Sequence, residues 1–127
     1  MDSAAPTGKT VLVIEDSDME REGLAAVLQR EGYAVLTAAD GQEALACVRT
    51  SPRPDLILLD MLLPGIDGWD LLKVYTRDPA LAGVPVVILS GLDVGSPAWA
   101  ASLGAAGYLR KPVDSAALLQ IVRRVCG

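Results

Sequence analysis

Short apolar runs that end on a charged or polar residue alternate with segments of helical period along the whole chain. This alternation constrains the fold more than any single motif. Val11-Leu12-Val13-Ile14 runs into Glu15-Asp16, Leu56-Ile57-Leu58-Leu59 runs into Asp60, and a shorter run ends at Lys111-Pro112. A short run that is apolar throughout reads as a strand covered on both faces. Strands are expected at about Thr10 to Ile14, Tyr33 to Thr37, Asp55 to Leu59, Val84 to Leu89 and Gly107 to Arg110.

The helices between them carry their own start and stop signals. Ser17 with Glu20 makes a capping box, and the helix behind it presents Met19, Leu24, Val27 and Leu28 before Gly32 stops it. A second helix starts after Asp40, with Glu43 three residues on, and buries Ala44, Leu45 and Val48. Ser51-Pro52-Arg53-Pro54 is a connection. Asp67 caps a third helix with Leu71, Leu72, Val74 and Tyr75, closed by Pro79 and Gly83. Ser96-Pro97 reads as an N-cap with proline at the first helical position, opening a short fourth helix that ends at Gly104. A fifth runs from about Asp114 and buries Leu118, Ile121, Val122 and Val125.

Strand–helix alternation with short loops predicts an α/β protein: three layers, a doubly wound five-stranded parallel sheet and five helices. Right-handed crossovers leave few topologies. The order 2-1-3-4-5 is expected, with a switch point between the first and third strands. The 127 residues argue for one domain, with 1–8 as a flexible N-terminal segment and 9–127 as the folded unit.

Composition narrows the function. The net charge of −5 argues against direct nucleic-acid binding, which needs a basic footprint. No apolar run approaches ~18 residues, so no membrane span is expected. The N-terminus lacks a basic segment followed by an apolar one and does not read as a secretory signal. A cytoplasmic location is therefore expected. Cys47 and Cys126 lie far apart in no metal-binding spacing and read as small apolar residues in a reducing compartment. The chain has no histidine, which removes Ser-His and Cys-His pairs, His-ligated metals and a histidine phosphodonor.

Open α/β sheets bind ligands outside the carboxyl ends of the strands at the switch point. Glu15, Asp16 and Asp60 gather there. Carboxylates sharing a crevice repel, and either one stays protonated or a divalent cation neutralises them. Carboxylates, a backbone carbonyl and waters suit the near-octahedral demands of magnesium. Lys111 adds a mobile positive charge at the fifth strand's end. Its bond to Pro112 can be cis at modest cost, and that form would aim the lysine into the crevice. Ser90 ends the fourth strand nearby. Each residue alone has a bland reading, as a solvated acid, a surface lysine or a turn serine. Their coincidence at adjoining strand ends argues for a site.

Together these residues carry a resemblance. Glu15-Asp16, Asp60 with Pro64-Gly65 and Asp67-Gly68 behind it, Ser90-Gly91, and Gly104 through Lys111-Pro112 resemble the receiver domain of bacterial two-component response regulators. The likeness runs from about Lys9 to Val125 and implies a flavodoxin-like receiver fold. It implies that Asp60 takes a phosphoryl group from a sensor histidine kinase or phosphotransfer protein. Asp16 would hold Mg2+ directly, Glu15 through water, with Asp60 and the backbone carbonyl of Leu62 as further ligands. Lys111 would contact the phosphoryl oxygens. Ser90 would move to bond one of them, and Tyr108 would follow inward. That would remodel the face made by the fourth helix, fifth strand and fifth helix for a downstream protein. The implied chain is no enzyme beyond its own phosphorylation and dephosphorylation. It would be a monomer or a phosphorylation-dependent dimer, and no effector domain follows the fifth helix within these residues.

One region departs from the pattern. Between Ser90 and Gly104 the spacing is about one residue short, and Pro97 to Leu103 carries no charge. A longer loop and a shorter, more apolar fourth helix are expected there. Trp99 reads either as an exposed partner anchor or as a core aromatic. Leu62 and Leu92, which border the path of a hydrolytic water in the family, cannot hydrogen-bond one. Three competitors remain. A phosphorylation-independent receiver-like scaffold is opposed by the intact acids, Lys111 and Ser90. A phosphatase with an aspartyl nucleophile would want a second aspartate where Leu62 stands. A flavin-binding protein would want a hydroxyl-rich phosphate loop where Glu15-Asp16-Ser17-Asp18 stands. Gly8-Lys9-Thr10 echoes a P-loop end but lacks its first glycine and the strand before it.

Overall fold

The computed structural model describes residues 6–50, 53–61, 73, 77, 81, 83–91 and 96–126. Five strands, β1 (Thr10–Ile14), β2 (Ala34–Ala38), β3 (Leu56–Asp60), β4 (Val86–Ser90) and β5 (Gly107–Arg110), form one sheet. Its order is β2-β1-β3-β4-β5 and every neighbouring pair is parallel, as expected. Helices α1 (Asp18–Arg30) and α2 (Gly41–Thr50) follow the first two strands, and a six-residue helix (Pro97–Ser102) and a C-terminal helix (Ser115–Cys126) flank β5. Lys73 and Arg77 are helical and exposed within the stretch expected for the remaining helix. The rest of that stretch, with Asp67, Leu71, Leu72, Val74, Tyr75 and Pro79, lies outside the described residues, as do Ser51-Pro52 and Pro64-Gly65.

The continuous apolar strands follow from burial on both faces. Side chains alternate along a strand, so each run supplies two cores. Leu12, Ile14, Ile57, Leu59 and Ile88 pack with Ala44 of α2 and Ala100 of the Pro97 helix. Val11, Val13, Leu58, Val87 and Leu89 pack with Leu24 and Leu28 of α1 and with Leu118 and Val122 of the C-terminal helix. Every residue of β3 and β4 is buried, whereas the edge strand β2 is partly exposed. β5 approaches the C-terminal helix so closely that a Cβ at Gly107 would strike the Ile121 side chain. Among the described residues no helix is long and apolar enough to cross a membrane.

Three local expectations are corrected. Met19, assigned to the apolar face of α1, is 84% exposed. At 3.6 residues per turn it points about 140° away from Leu24 and about 180° away from Leu28, the residues that meet the sheet. β3 extends one residue further than expected, so Asp60 is the last strand residue, held in register beside Leu89. The expected capping box is half formed. Ser17 Oγ accepts from the Glu20 N–H at 3.3 Å, but the Ser17 N–H donates to Glu15 Oε1 and not to Glu20. Ahead of β1, the Thr7 N–H donates to Gly32 O at 2.9 Å and tethers the chain there.

Candidate functional site

Parallel register brings the polar residues to one edge. β1 and β3 are paired through Ile14 and Leu59, which places Glu15 and Asp60 side by side one step beyond. Met61 N donates to Leu89 O, and Lys111 N donates to Ser90 O at 2.9 Å, extending the ladder to the next two strand ends. Glu15 is fully buried, Asp60 is 3% exposed and Ser90 1%. The Lys111–Pro112 peptide bond is cis.

Lys111 enters this edge as the counter-charge. Its Nζ lies 2.8 Å from Glu15 Oε2, 3.1 Å from Asp60 Oδ2 and 3.2 Å from Glu20 Oε2. Burial pushes the Glu15 carboxyl up to about 7; the Lys111 hydrogen bond pulls it down and the Asp60 charge adds to the rise. Burial alone would lower the Lys111 ammonium, but the Glu15 hydrogen bond and the Asp60 charge outweigh it and the net displacement is upward.

Carboxylate oxygens of Glu15, Asp16 and Asp60 all lie within 4.8 Å of one another. Asp16 is exposed and the other two are buried, so the group opens to solvent on one side. A divalent cation that keeps several waters fits this set of hard oxygen donors. The Leu62 carbonyl, named as a further ligand, lies outside the described residues, as does Leu92.

Two residues escaped the sequence reasoning. Arg21, 16% exposed, donates from Nη1 to Glu15 O at 2.9 Å and from Nη2 to Asp18, bracing the acidic loop. Glu20 was read only as a cap residue, yet its carboxylate goes to Lys111. Its place in the first turn of a helix that starts beside the switch point was the available signal. A cleft of 410 Å³ opens from this cluster between α1 and the C-terminal helix, with Val27, Pro112 and Leu118 among its walls.

Tyr108 takes no part in the acid cluster. It packs on the opposite side of the sheet, where its ring meets Trp99 edge-on at 6.1 Å and 87°. Its hydroxyl is buried and has no hydrogen-bond partner among the described residues. Trp99 is half-buried against the core, close to the core-aromatic reading. Ser96 Oγ caps the Pro97 helix by accepting from the Trp99 N–H at 3.0 Å.

A doubly wound parallel sheet with buried acids and a lysine at its switch point belongs to the open α/β class, whose ligand sites lie at the carboxyl ends of the strands. The family model for the response regulator receiver domain matches residues 11–123, and the chain belongs to that family, a module of two-component signalling. It is 34% identical over 116 residues to protein PilH of Pseudomonas aeruginosa, covering 91% of this chain and 95% of PilH. It is 40% identical to the transcriptional regulatory protein CseB of Streptomyces coelicolor over 91% of this chain but only 48% of CseB. The structure of the chemotaxis response regulator CheY4 of Vibrio cholerae superposes with a TM-score of 0.83 at 33% identity, covering 92% of this chain and 98% of that one.

Proposed function

We propose that this chain is a phosphorylatable receiver in which Asp60 accepts a phosphoryl group from a sensor histidine kinase or phosphotransfer protein. The observation that carries this reading is the position of Asp60. It is nearly buried at a strand end, paired with Lys111 at 3.1 Å and within reach of Glu15 and Asp16. None of these 127 residues is a histidine, so such a donor lies outside them.

Phosphoryl transfer asks for in-line positioning and for positive charge against the equatorial oxygens. Strand register holds the Asp60 carboxylate still as nucleophile, and its pairing in a narrow edge limits water. Lys111 supplies one positive charge to the transferred oxygens. Asp16 and Asp60, with the Leu62 carbonyl, would hold magnesium, and Glu15 would reach it through water. When bound, the cation neutralises the acids and the incoming phosphate. Ser90, at the neighbouring strand end, donates a hydroxyl to the new phosphoryl group. Tyr108 then couples this event to the face made by the Pro97 helix, β5 and the C-terminal helix, for a downstream protein or a second copy. A cytoplasmic setting belongs to the same proposal.

The scaffold reading draws on one observation, the six-residue, charge-free Pro97 helix on the signalling face. Incubation with magnesium and acetyl phosphate, followed by intact mass, separates the two. The receiver gains one phosphoryl group that Asp60→Asn does not. A wild-type chain that stays unmodified selects the scaffold.

A further inference from the structure

An ammonium group has three donors and no acceptor. The Lys111 ammonium has carboxylates within 3.2 Å on three sides, from Glu15, Asp60 and Glu20. They differ in burial. The Glu15 and Asp60 side chains are 0% and 4% exposed, but that of Glu20 is 47% exposed. Glu20 is also free of the local role its spacing suggested, because Glu15 Oε1 has taken the Ser17 N–H. An acid from the first turn of α1 has therefore crossed to the cation of the site.

We infer that Glu20 is a positioning residue for phosphoryl transfer: its carboxylate occupies Lys111 in the resting protein and competes with the phosphoryl oxygens for it. The inference rests on the receiver reading above. In the transfer, an Asp60 oxygen bonds to phosphorus, the donor's own bond to phosphorus breaks (phosphorus–nitrogen in a phosphohistidine, phosphorus–oxygen in acetyl phosphate), and the leaving group departs with that electron pair. The new group carries three oxygens, and Lys111 must give up a partner to meet one. Releasing Glu15 would strand a fully buried acid without its counter-charge. Releasing Glu20 only returns a half-exposed carboxylate to water. Glu20 is thus the partner that leaves, and until it does it adds negative charge where an anionic donor must approach. The device slows phosphorylation and weakens retention of the phosphoryl group, while keeping Lys111 aimed at Asp60.

The test compares wild type, Glu20→Gln and Glu20→Ala, each checked for folding by thermal melting. Phosphorylation by acetyl phosphate at saturating magnesium is followed by intact mass, and beryllofluoride affinity by calorimetry. Both variants are expected to phosphorylate faster and to bind beryllofluoride more tightly, by roughly two- to fivefold, the worth of a half-exposed ion pair. Magnesium affinity, which a loosened α1 would disturb, stays within about twofold because Glu20 lies outside the group of acids that share the cation site. Added salt narrows the gap between wild type and variants. Variants that match wild type in both readouts, or that react more slowly, overturn the inference. A wild type that does not phosphorylate overturns instead the receiver reading beneath it.

Discussion

The two faces of the sheet manage polar groups in opposite ways. On the α1 side, buried acids converge on one lysine, and Arg21 braces the loop that carries them. On the Pro97 side, Trp99 and Tyr108 meet through ring edges, and a buried tyrosine hydroxyl has no partner among the described residues. The first region is held by charge pairing that costs desolvation and yields little net stability. The second is held by apolar contact and carries a small polar penalty. Chemistry and packing are thus assigned to opposite faces. Replacing Asp60 on the first face should change reactivity with a small effect on stability, and truncating Trp99 on the second should do the reverse.

Asp60→Asn is the sharpest break. The amide is nearly isosteric but forms no acyl phosphate, so incorporation from acetyl phosphate should vanish. The circular dichroism spectrum should be unchanged, and the melting temperature equal or higher, since one of the crowded acids has gone. Residual phosphate on this variant would remove Asp60 from its proposed role.

Trp99→Ala should mark the other face. Truncating a partly buried aromatic should cost about 2–4 kcal/mol in urea unfolding, near the lower part of the range for full burial. Phosphorylation of the folded fraction should change little. A loss below about 0.5 kcal/mol, the level of a surface substitution, would mean that Trp99 contributes no packing to this face.

The raised Glu15 group ties stability to pH. Its folded value of about 7 lies above the ordinary 4.5, so the folded protein binds more protons between these two values. Its contribution to stability is fully present below about 4.5 and is lost as pH rises through about 7. Metal-free wild type should therefore lose stability from pH 5 to pH 8 relative to Glu15→Gln, on the order of 1–3 kcal/mol. Magnesium should oppose the loss, because a cation favours the charged carboxylate, and should raise the melting temperature more at pH 8 than at pH 6. Parallel denaturation curves for the two proteins across this window would show that Glu15 is not the linked group.

Tyr108→Phe should have the smallest effect. Removing a buried hydroxyl that has no partner among the described residues should leave stability unchanged or raise it by up to about 1 kcal/mol. A clear loss would show that the hydroxyl is bonded in solution. The ring contact with Trp99 would then no longer be the main anchor of Tyr108.

Much of the fold was legible along the chain because its determinants are local. Four-residue apolar runs in β1 and β3 require cover on both faces, and parallel strands alternating with helices supply it. Ser17, Asp40, Ser96 and Asp114 announce helix starts through their own side chains, and each accepts a backbone N–H as its spacing implies. Strand-end acids could be placed at one edge before any coordinates, since parallel strands share a direction. Boundaries were less legible. The reach of β3 to Asp60 depends on the ladder to Leu89, and the exposure of Met19 depends on which helical face meets the sheet.

Sequence alone determined the layer architecture, the strand order and the strand-end position of Glu15, Asp60, Ser90 and Lys111, because side-chain period and crossover handedness are properties of the chain. Only the tertiary structure decided how those residues divide Lys111 among themselves. Glu15 takes the Ser17 N–H, Glu20 is released from its cap to reach across to Lys111, and Tyr108 turns its ring to Trp99. Hydrogen-bond donors and charges are shared between elements far apart in sequence. Which acceptor wins each one is set by distance and burial, quantities that exist only once the elements have packed.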